Sequence, residues 1–212
     1  MKRILITSGP TREYLDPVRF LTNGSSGRMG AALAEAVLRR GAVPVIVSGP
    51  VTVAYPDGSE VHPVRATAEM LEIARKLFPD CAGAIGAAAP CDYRPETFSE
   101  QKLKKRTSET GFLLRLVETP DILASLGDMK RPGQWIVGFA LETENGPVHA
   151  LEKLNRKHCD FIALNSPASI DNDTAALQIF DAFGTLRASL TGTKTTIADE
   201  ILQLVDENSS QR

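Results

Sequence analysis

Apolar positions along this chain follow two alternating rhythms. Short apolar runs at 3–7, 43–48, 61–64, 83–88, 135–140 and 161–164 have the length and the Val/Ile content of strands buried on both faces. Between them, segments 25–40, 67–78, 120–126 and 147–157 carry apolar residues at helical spacing. Strand followed by helix, repeated, predicts an α/β domain: an open parallel sheet with helices on both faces. Ser25 or Ser26, Thr67, and Thr119 before Pro120 are the expected N-caps, and Gly41 is an expected C-cap.

Three stretches interrupt the rhythm. Residues 6–30, ITSGPTREYLDPVRFLTNGSSGRMG, hold a loop far longer than the few residues that usually join a strand to its helix. Residues 93–118 run from a polar segment with KLKKR into the alternating FLLRLVE, which predicts a protruding β arm bearing a flexible lysine loop. Near the end, 175–180 and 186–190 flank DAFG as a C-terminal hairpin, 195–205 forms a last helix, and NSSQR is a frayed tail. With no internal repeat and no linker, the expectation is a single domain over residues 1–212.

Composition narrows the partners. Lys and Arg number 24 against 26 Asp and Glu, so no global basic field recruits nucleic acid or a membrane surface, and anions must be met locally. No apolar run approaches the ~20 residues of a membrane helix, and the chain enters a strand at once, so the expected location is cytoplasmic. The three cysteines, Cys81, Cys91 and Cys159, lack metal-ligand spacing and fit a reduced compartment.

Against that background, three clusters carry candidate chemistry. At NGSSGRMG a helix start offers unpaired backbone N–H groups to an anion, with Asn23, Ser25 and Ser26 adding polar side chains and Gly24 and Gly27 permitting close approach. Arg12, Arg19 and Arg28 supply the charge. A capped helix with solvated arginines explains any one of these residues; their density on one loop favours a site. At GAAAPCDYRP the strand exit Gly86, Ala87, Ala88, Ala89 is too small to block a planar ring, and Asp92 just beyond it suits either Mg²⁺ or a ribose hydroxyl. Lys102, Lys104 and Lys105 follow as point charges for a polyphosphate. At GFALET, Phe139, Ala140, Glu142 and Thr143 end another strand, and Lys153 and Lys157 share one face of the next helix.

Familiar nucleotide signatures are missing. The glycines at 24, 27 and 30 do not match G-x-G-x-x-G, and the second strand ends Val47-Ser48-Gly49 without an acidic ribose ligand. No G-x-x-x-x-G-K-[ST] occurs, nor a Tyr followed four residues later by Lys. An NAD(P)-dependent reductase on the same fold and a non-catalytic nucleotide-binding module are the competing readings.

Taken together, SGPTREYLDPVRFLTNGSSGRMG, AAAPCDYRP with KLKK, TPDI, GFALET, and K-x-x-x-K before DFIALN closely resemble the phosphopantothenoylcysteine synthetase family of coenzyme A biosynthesis. The resemblance implies a Rossmann-like fold and a stand-alone synthetase without flavin, working with a separate decarboxylase. It implies that CTP and Mg²⁺ activate the carboxylate of 4'-phosphopantothenate to an acyl cytidylate, which L-cysteine then captures. By position, Asn23 acts on the acyl intermediate, Lys102 on the flexible loop and Asp92 at the nucleotide and its metal. Arg19 anchors substrate along with Asn23, Ser25, Ser26 and Gly27. Gly86, Ala87, Ala88, Pro120, Asp121, Ile122, Leu123, Phe139, Lys153 and Lys157 surround the nucleotide. The family also implies a homodimer through the arm. Pro90 and Cys91 before Asp92, and Ile170 in NSPASIDNDT, depart from its pattern.

Overall fold

The structure, a computed structural model, describes residues 1–104, 111–142, 144–165 and 174–210. Lys105, Thr143 and Ile170 lie outside these. From the N-terminus the elements are β1 (Arg3–Ser8), β2 (Arg12–Tyr14), β3 (Phe20–Thr22), α1 (Arg28–Arg39), β4 (Val43–Ser48), β5 (Glu60–Pro63), α2 (Thr67–Leu77) and β6 (Gly83–Gly86). Then come β7 (Tyr93–Pro95), β8 (Leu116–Glu118), α3 (Ile122–Asp128), β9 (Trp135–Leu141), α4 (Gly146–Arg156), β10 (Phe161–Asn165), β11 (Thr174–Asp181), β12 (Leu186–Thr193) and α5 (Lys194–Ser210).

One eight-stranded sheet organises the chain, in the order β12-β11-β10-β9-β6-β1-β4-β5. Its strands β5, β4, β1, β6, β9 and β10 pair in parallel, and the antiparallel hairpin β11–β12 closes one side. This is the Rossmann-like α/β architecture expected from the alternation. Strand side chains alternate between two cores. Ile4 and Ile6 of β1 pack under α1 and α5, while Leu5 packs with α2, α3 and α4. The chain leaves β1 in one direction for β4 and β5 and returns on the other side at β6. Such a reversal opens a crevice outside the carboxyl ends of the strands flanking it, here β1 and β6.

Several expected boundaries move. Helix α1 begins at Arg28 rather than Ser25, because Gly27 takes the left-handed conformation (φ 76°) and serves as the N-cap with no side-chain cap bond. At Gly30 a Cβ would lie 2.0 Å from Ser8 Oγ, so this glycine lets α1 approach the end of β1. Ala66, not Thr67, caps α2, and Asp121 rather than Thr119 caps α3 by accepting from the Ala124 N–H (3.0 Å). Strand β6 stops at Gly86, although Ala87 and Ala89 still donate to the carbonyls of Thr7 and Gly9. FLLRLVE forms a strand only at its end, β8, which pairs with β7 apart from the main sheet; Phe112 and Leu113 stay exposed. The last helix runs on through Ser210, taking in most of the tail that was expected to fray.

Candidate active site

The long β1–α1 loop is not slack: β2 and β3 pair within it as a short hairpin. Arg12 stacks its guanidinium 4.5 Å from the Phe20 ring centre, and Tyr14 packs against the same ring. The hairpin docks on the start of α2, where Arg12 N–H donates to the Arg65 carbonyl (2.7 Å) and buried Glu13 accepts from Thr67 N–H (2.8 Å). Glu69 reaches back to the Arg65 N–H (2.7 Å). Both carboxylates therefore sit where α2 has orphan donors.

Past the hairpin, the loop crosses to the exit of β6. Asn23 donates its side-chain amide to the Pro90 carbonyl (2.9 Å), two residues before Asp92. Beneath this contact, Cys91 is tied down on both sides. Its N–H donates to Thr11 Oγ1 (2.8 Å), which lies 2.8 Å from Thr67 Oγ1, and its carbonyl accepts from the hydroxyls of Thr67 and Thr119. Burial pushes the Cys91 thiol up from its ordinary pKa, which disfavours the nucleophilic thiolate. Residue 91 thus anchors the strand exit through its backbone, which any residue other than proline can supply. Asp92 itself is exposed, and its carbonyl accepts from Thr119 N–H (2.9 Å).

Charged groups of α3 and α4 gather on the same side. Lys157 Nζ lies 2.9 Å from the Asp121 carboxylate, and Lys153 stands one turn earlier, half-buried. Burial, followed by the like charge of Lys157, lowers the Lys153 pKa, while Glu142, Asp121 and Asp92 oppose the shift. Both lysines and these three carboxylates therefore share one electrostatic neighbourhood. For Asp121, burial alone would raise the pKa; the Ala124 N–H and Lys157 bring it below the ordinary value.

Not every expected residue presents its side chain here. Ile122 and Leu123 are buried in the core, where Leu123 fills the space left by Gly86 and Gly138, so their contribution to a ligand is limited to backbone. Phe139 and Ala87 pack against the α1/α5 core, on the sheet face opposite Ala88 and α4. Ser25 and Ser26 are half-buried ahead of α1, Pro120 is exposed, and Lys102 is exposed on the segment beyond β7. Arg19, expected to anchor substrate, forks onto Asp16 (2.6 and 3.0 Å) and donates to the Leu103 carbonyl. Sequence reasoning passed over Asp16, Glu13 and Thr11, and read Thr67 as a helix cap only. Only Asp16 gave a local signal, through Asp-Pro as a turn initiator. It also passed over a groove of about 460 Å³ between the hairpin and α2, lined by Arg12, Tyr14, Arg65, Glu69 and Phe98 among others.

Among the described residues no group of three His, Cys, Asp or Glu forms a metal cage. An exposed carboxylate such as Asp92 fits the other common arrangement, in which Mg²⁺ takes one protein carboxylate and completes its shell with substrate phosphates and water. No helix among the described residues is long and apolar enough to cross a membrane.

Comparison with known proteins adds the lineage. The sequence profile of the DNA/pantothenate metabolism flavoprotein C-terminal domain matches residues 1–208. The chain belongs to this family. Curated relatives of the family member include the coenzyme A biosynthesis bifunctional protein CoaBC of Bacillus subtilis (strain 168), 40% identical over 99% of this chain and 52% of its own length. The CoaBC of Vibrio cholerae is 39% identical over 97% of this chain and 52% of its own length. A protein of an unknown prokaryotic organism named cysteine/cysteine sulfinic acid decarboxylase is 40% identical over 96% of this chain and 58% of its own length. The chain spans about half the length of these relatives. Among solved structures, the crystal structure of the C-terminal domain of CoaBC superposes with a TM-score of 0.84 at 36% identity, covering 100% of this chain and 97% of that one. A Cab2 mutant in complex with phosphopantothenate-cysteine has a TM-score of 0.75 at 16% identity, covering 97% of this chain and 87% of that one, a likeness of fold.

Proposed function

We propose that this chain is a phosphopantothenate–cysteine ligase of coenzyme A biosynthesis, with CTP as the activating co-substrate. Its full-length match to the half of CoaBC solved as the C-terminal domain supports the reading. The observation that carries it is the bond from Asn23 to the Pro90 carbonyl, which brings the amide-bearing loop to the strand exit that holds Asp92.

In the first step a carboxylate oxygen of 4'-phosphopantothenate attacks the α-phosphorus of CTP, the bond to the β-phosphate oxygen breaks, and pyrophosphate leaves. Charge builds on phosphoryl oxygens, so the protein contributes mainly positioning and electrostatics. Lys102 meets the departing phosphates, Lys153 and Lys157 stand by the nucleotide, and Arg19, Ser25, Ser26 and Gly27 line the acceptor side. Asp92 would hold Mg²⁺, which supplies charge neutralisation on the phosphates when bound. In the second step the amine of L-cysteine attacks the acyl carbon, loses its proton, and CMP leaves with the electrons of the acyl–oxygen bond. One Asn23 N–H is committed to Pro90; the other is assigned to the acyl oxygen as it becomes negative, the role of an oxyanion donor. A decarboxylase acting on 4'-phosphopantothenoylcysteine would follow, and both belong in the cytoplasm.

The test is pyrophosphate release from CTP, ATP, GTP and UTP at equal concentration, with phosphopantothenate and with or without cysteine. Release with CTP, persisting as a first turnover without cysteine, is the expected result. Release from no nucleotide under either condition refutes the ligase, and preference for another nucleotide refutes the CTP assignment.

A further inference from the structure

The segment that bears Lys102 and Lys104 is fastened to the β1–α1 loop through the Leu103 peptide. Asp16, fully buried, closes a local turn with Oδ1, which accepts from the N–H groups of Val18 (2.8 Å) and Arg19 (2.9 Å). That is an Asx turn, and it needs only one oxygen. Oδ2 faces elsewhere: it accepts from Arg19 Nε and Nη2 and from the N–H of Leu103 (3.0 Å), 87 residues away in sequence. Arg19 Nη2 in turn donates to the Leu103 carbonyl. Both polar groups of the Leu103 backbone thus end on one ion pair. Close by, the Ser99 N–H donates to the Leu15 carbonyl (2.9 Å), a second stitch between the same two segments.

Burial alone would raise the Asp16 carboxyl, yet the Arg19 guanidinium and the N–H groups of Leu103, Val18 and Arg19 hold it well below the ordinary aspartate value. The oxygen that grips Leu103 therefore stays an anion at neutral pH. Charge-assisted bonds to such an oxygen are about twice as strong as neutral ones.

We propose that Asp16 is a positioning residue: with Arg19 it latches the Leu103 peptide and so presets the backbone from which Lys102 acts. The assignment rests on the role given to Lys102 in the proposed ligase. Asp16 touches no reacting atom. It spares the lysine segment a search for its place, because the segment is already held when the nucleotide arrives.

Asp16→Asn is the informative variant, since its amide oxygen can keep the turn while its NH₂ group faces the Leu103 N–H and the guanidinium as a donor among donors. In the wild type, hydrogen exchange at the Leu103 amide is expected to be protected; in Asp16→Asn it should quicken roughly tenfold or more while Leu5 and Ile6 of β1 keep their rates. The single-turnover rate of pyrophosphate release without cysteine should fall about tenfold, and the same substitution on a Lys102→Gln background should cost nothing further. A Leu103 amide that exchanges freely in the wild type overturns the latch. So do losses that simply add across the two backgrounds, because a structural defect would act regardless of Lys102. If Asp16→Asn does not fold, Leu103→Pro removes the same N–H from the surface segment, and full activity in that variant overturns the latch instead. A protected Leu103 that is released by Asp16→Asn, in a protein that frees pyrophosphate from no nucleotide, strikes the ligase reading and not the latch geometry.

Discussion

Asn23 and Lys102 serve different halves of the proposed reaction, and single substitutions should separate them. Asn23→Ala removes the amide that meets the acyl oxygen, so pyrophosphate should still appear in the first turnover while the activated acyl nucleotide accumulates. The loss of one oxyanion donor is worth about 10²–10³ in rate, read as cysteine-dependent CMP formation. Lys102→Gln should instead suppress pyrophosphate release itself. Equal loss of that first step in both variants contradicts the division. The cysteines take no part at this scale: burial pushes the Cys81 thiol up to about 11 and the Cys159 thiol up to about 12, far from the reactive thiolate.

At the scale of elements, α3 is a helix whose side-chain cap, Asp121, is also a proposed site residue. Asp121 accepts from the Ala124 N–H and pairs with Lys157, which ties the start of α3 to the end of α4. Asp121→Ala should cost about 1 kcal/mol of stability at neutral pH, mostly through the lost cap, with little added for a half-exposed ion pair. The sign of its pH dependence follows from a folded pKa lying below the ordinary 3.8. The stabilisation is complete above that value and drains away as pH falls through the folded pKa. Urea midpoints of wild type and variant should therefore differ most near pH 7 and converge in acid; a constant gap would mean the carboxylate charge is irrelevant. The hairpin β2–β3 shows what local pattern misses. Three-residue strands carry no period to read, and their docking on α2 depends on Glu13 meeting a backbone donor 54 residues away.

Across the whole molecule, five of the parallel strands, β1, β4, β6, β9 and β10, were legible because they are buried on both faces, which demands continuous apolar runs, and Val43–Ser48 matches the expected span end to end; the edge strand β5 is half-exposed and its bounds shift by one residue. The strand-end motifs converged for the same reason: parallel strands send all their following loops to one edge. Contacts between those loops were not legible. Asp16 with Leu103 and Asn23 with Pro90 join segments 87 and 67 residues apart, and only the folded sheet determines which loops meet. At this scale the arm makes its own prediction. An isolated two-stranded hairpin is marginal in water, and this one exposes Phe112 and Leu116 beside Leu113, whose exposure is 99%. A second copy of the chain is the proposed cover, so light scattering should return a dimer mass, and Leu113→Asp with Phe112→Ser should yield monomers that remain folded. A wild-type monomer across the micromolar range contradicts it.

The two carboxylates seated on the start of α2 have a consequence for traffic across this surface. Glu13 and Glu69 take up the donors that a phosphoryl group would seek there, and their charge repels one. On the proposed reading, an incoming molecule with an anionic tail is turned away from this helix mouth and left with that of α1, which Gly27 fronts with no side-chain cap bond. In the proposed ligase, the protein's own side chains thereby close one of two doors to the tail of its substrate.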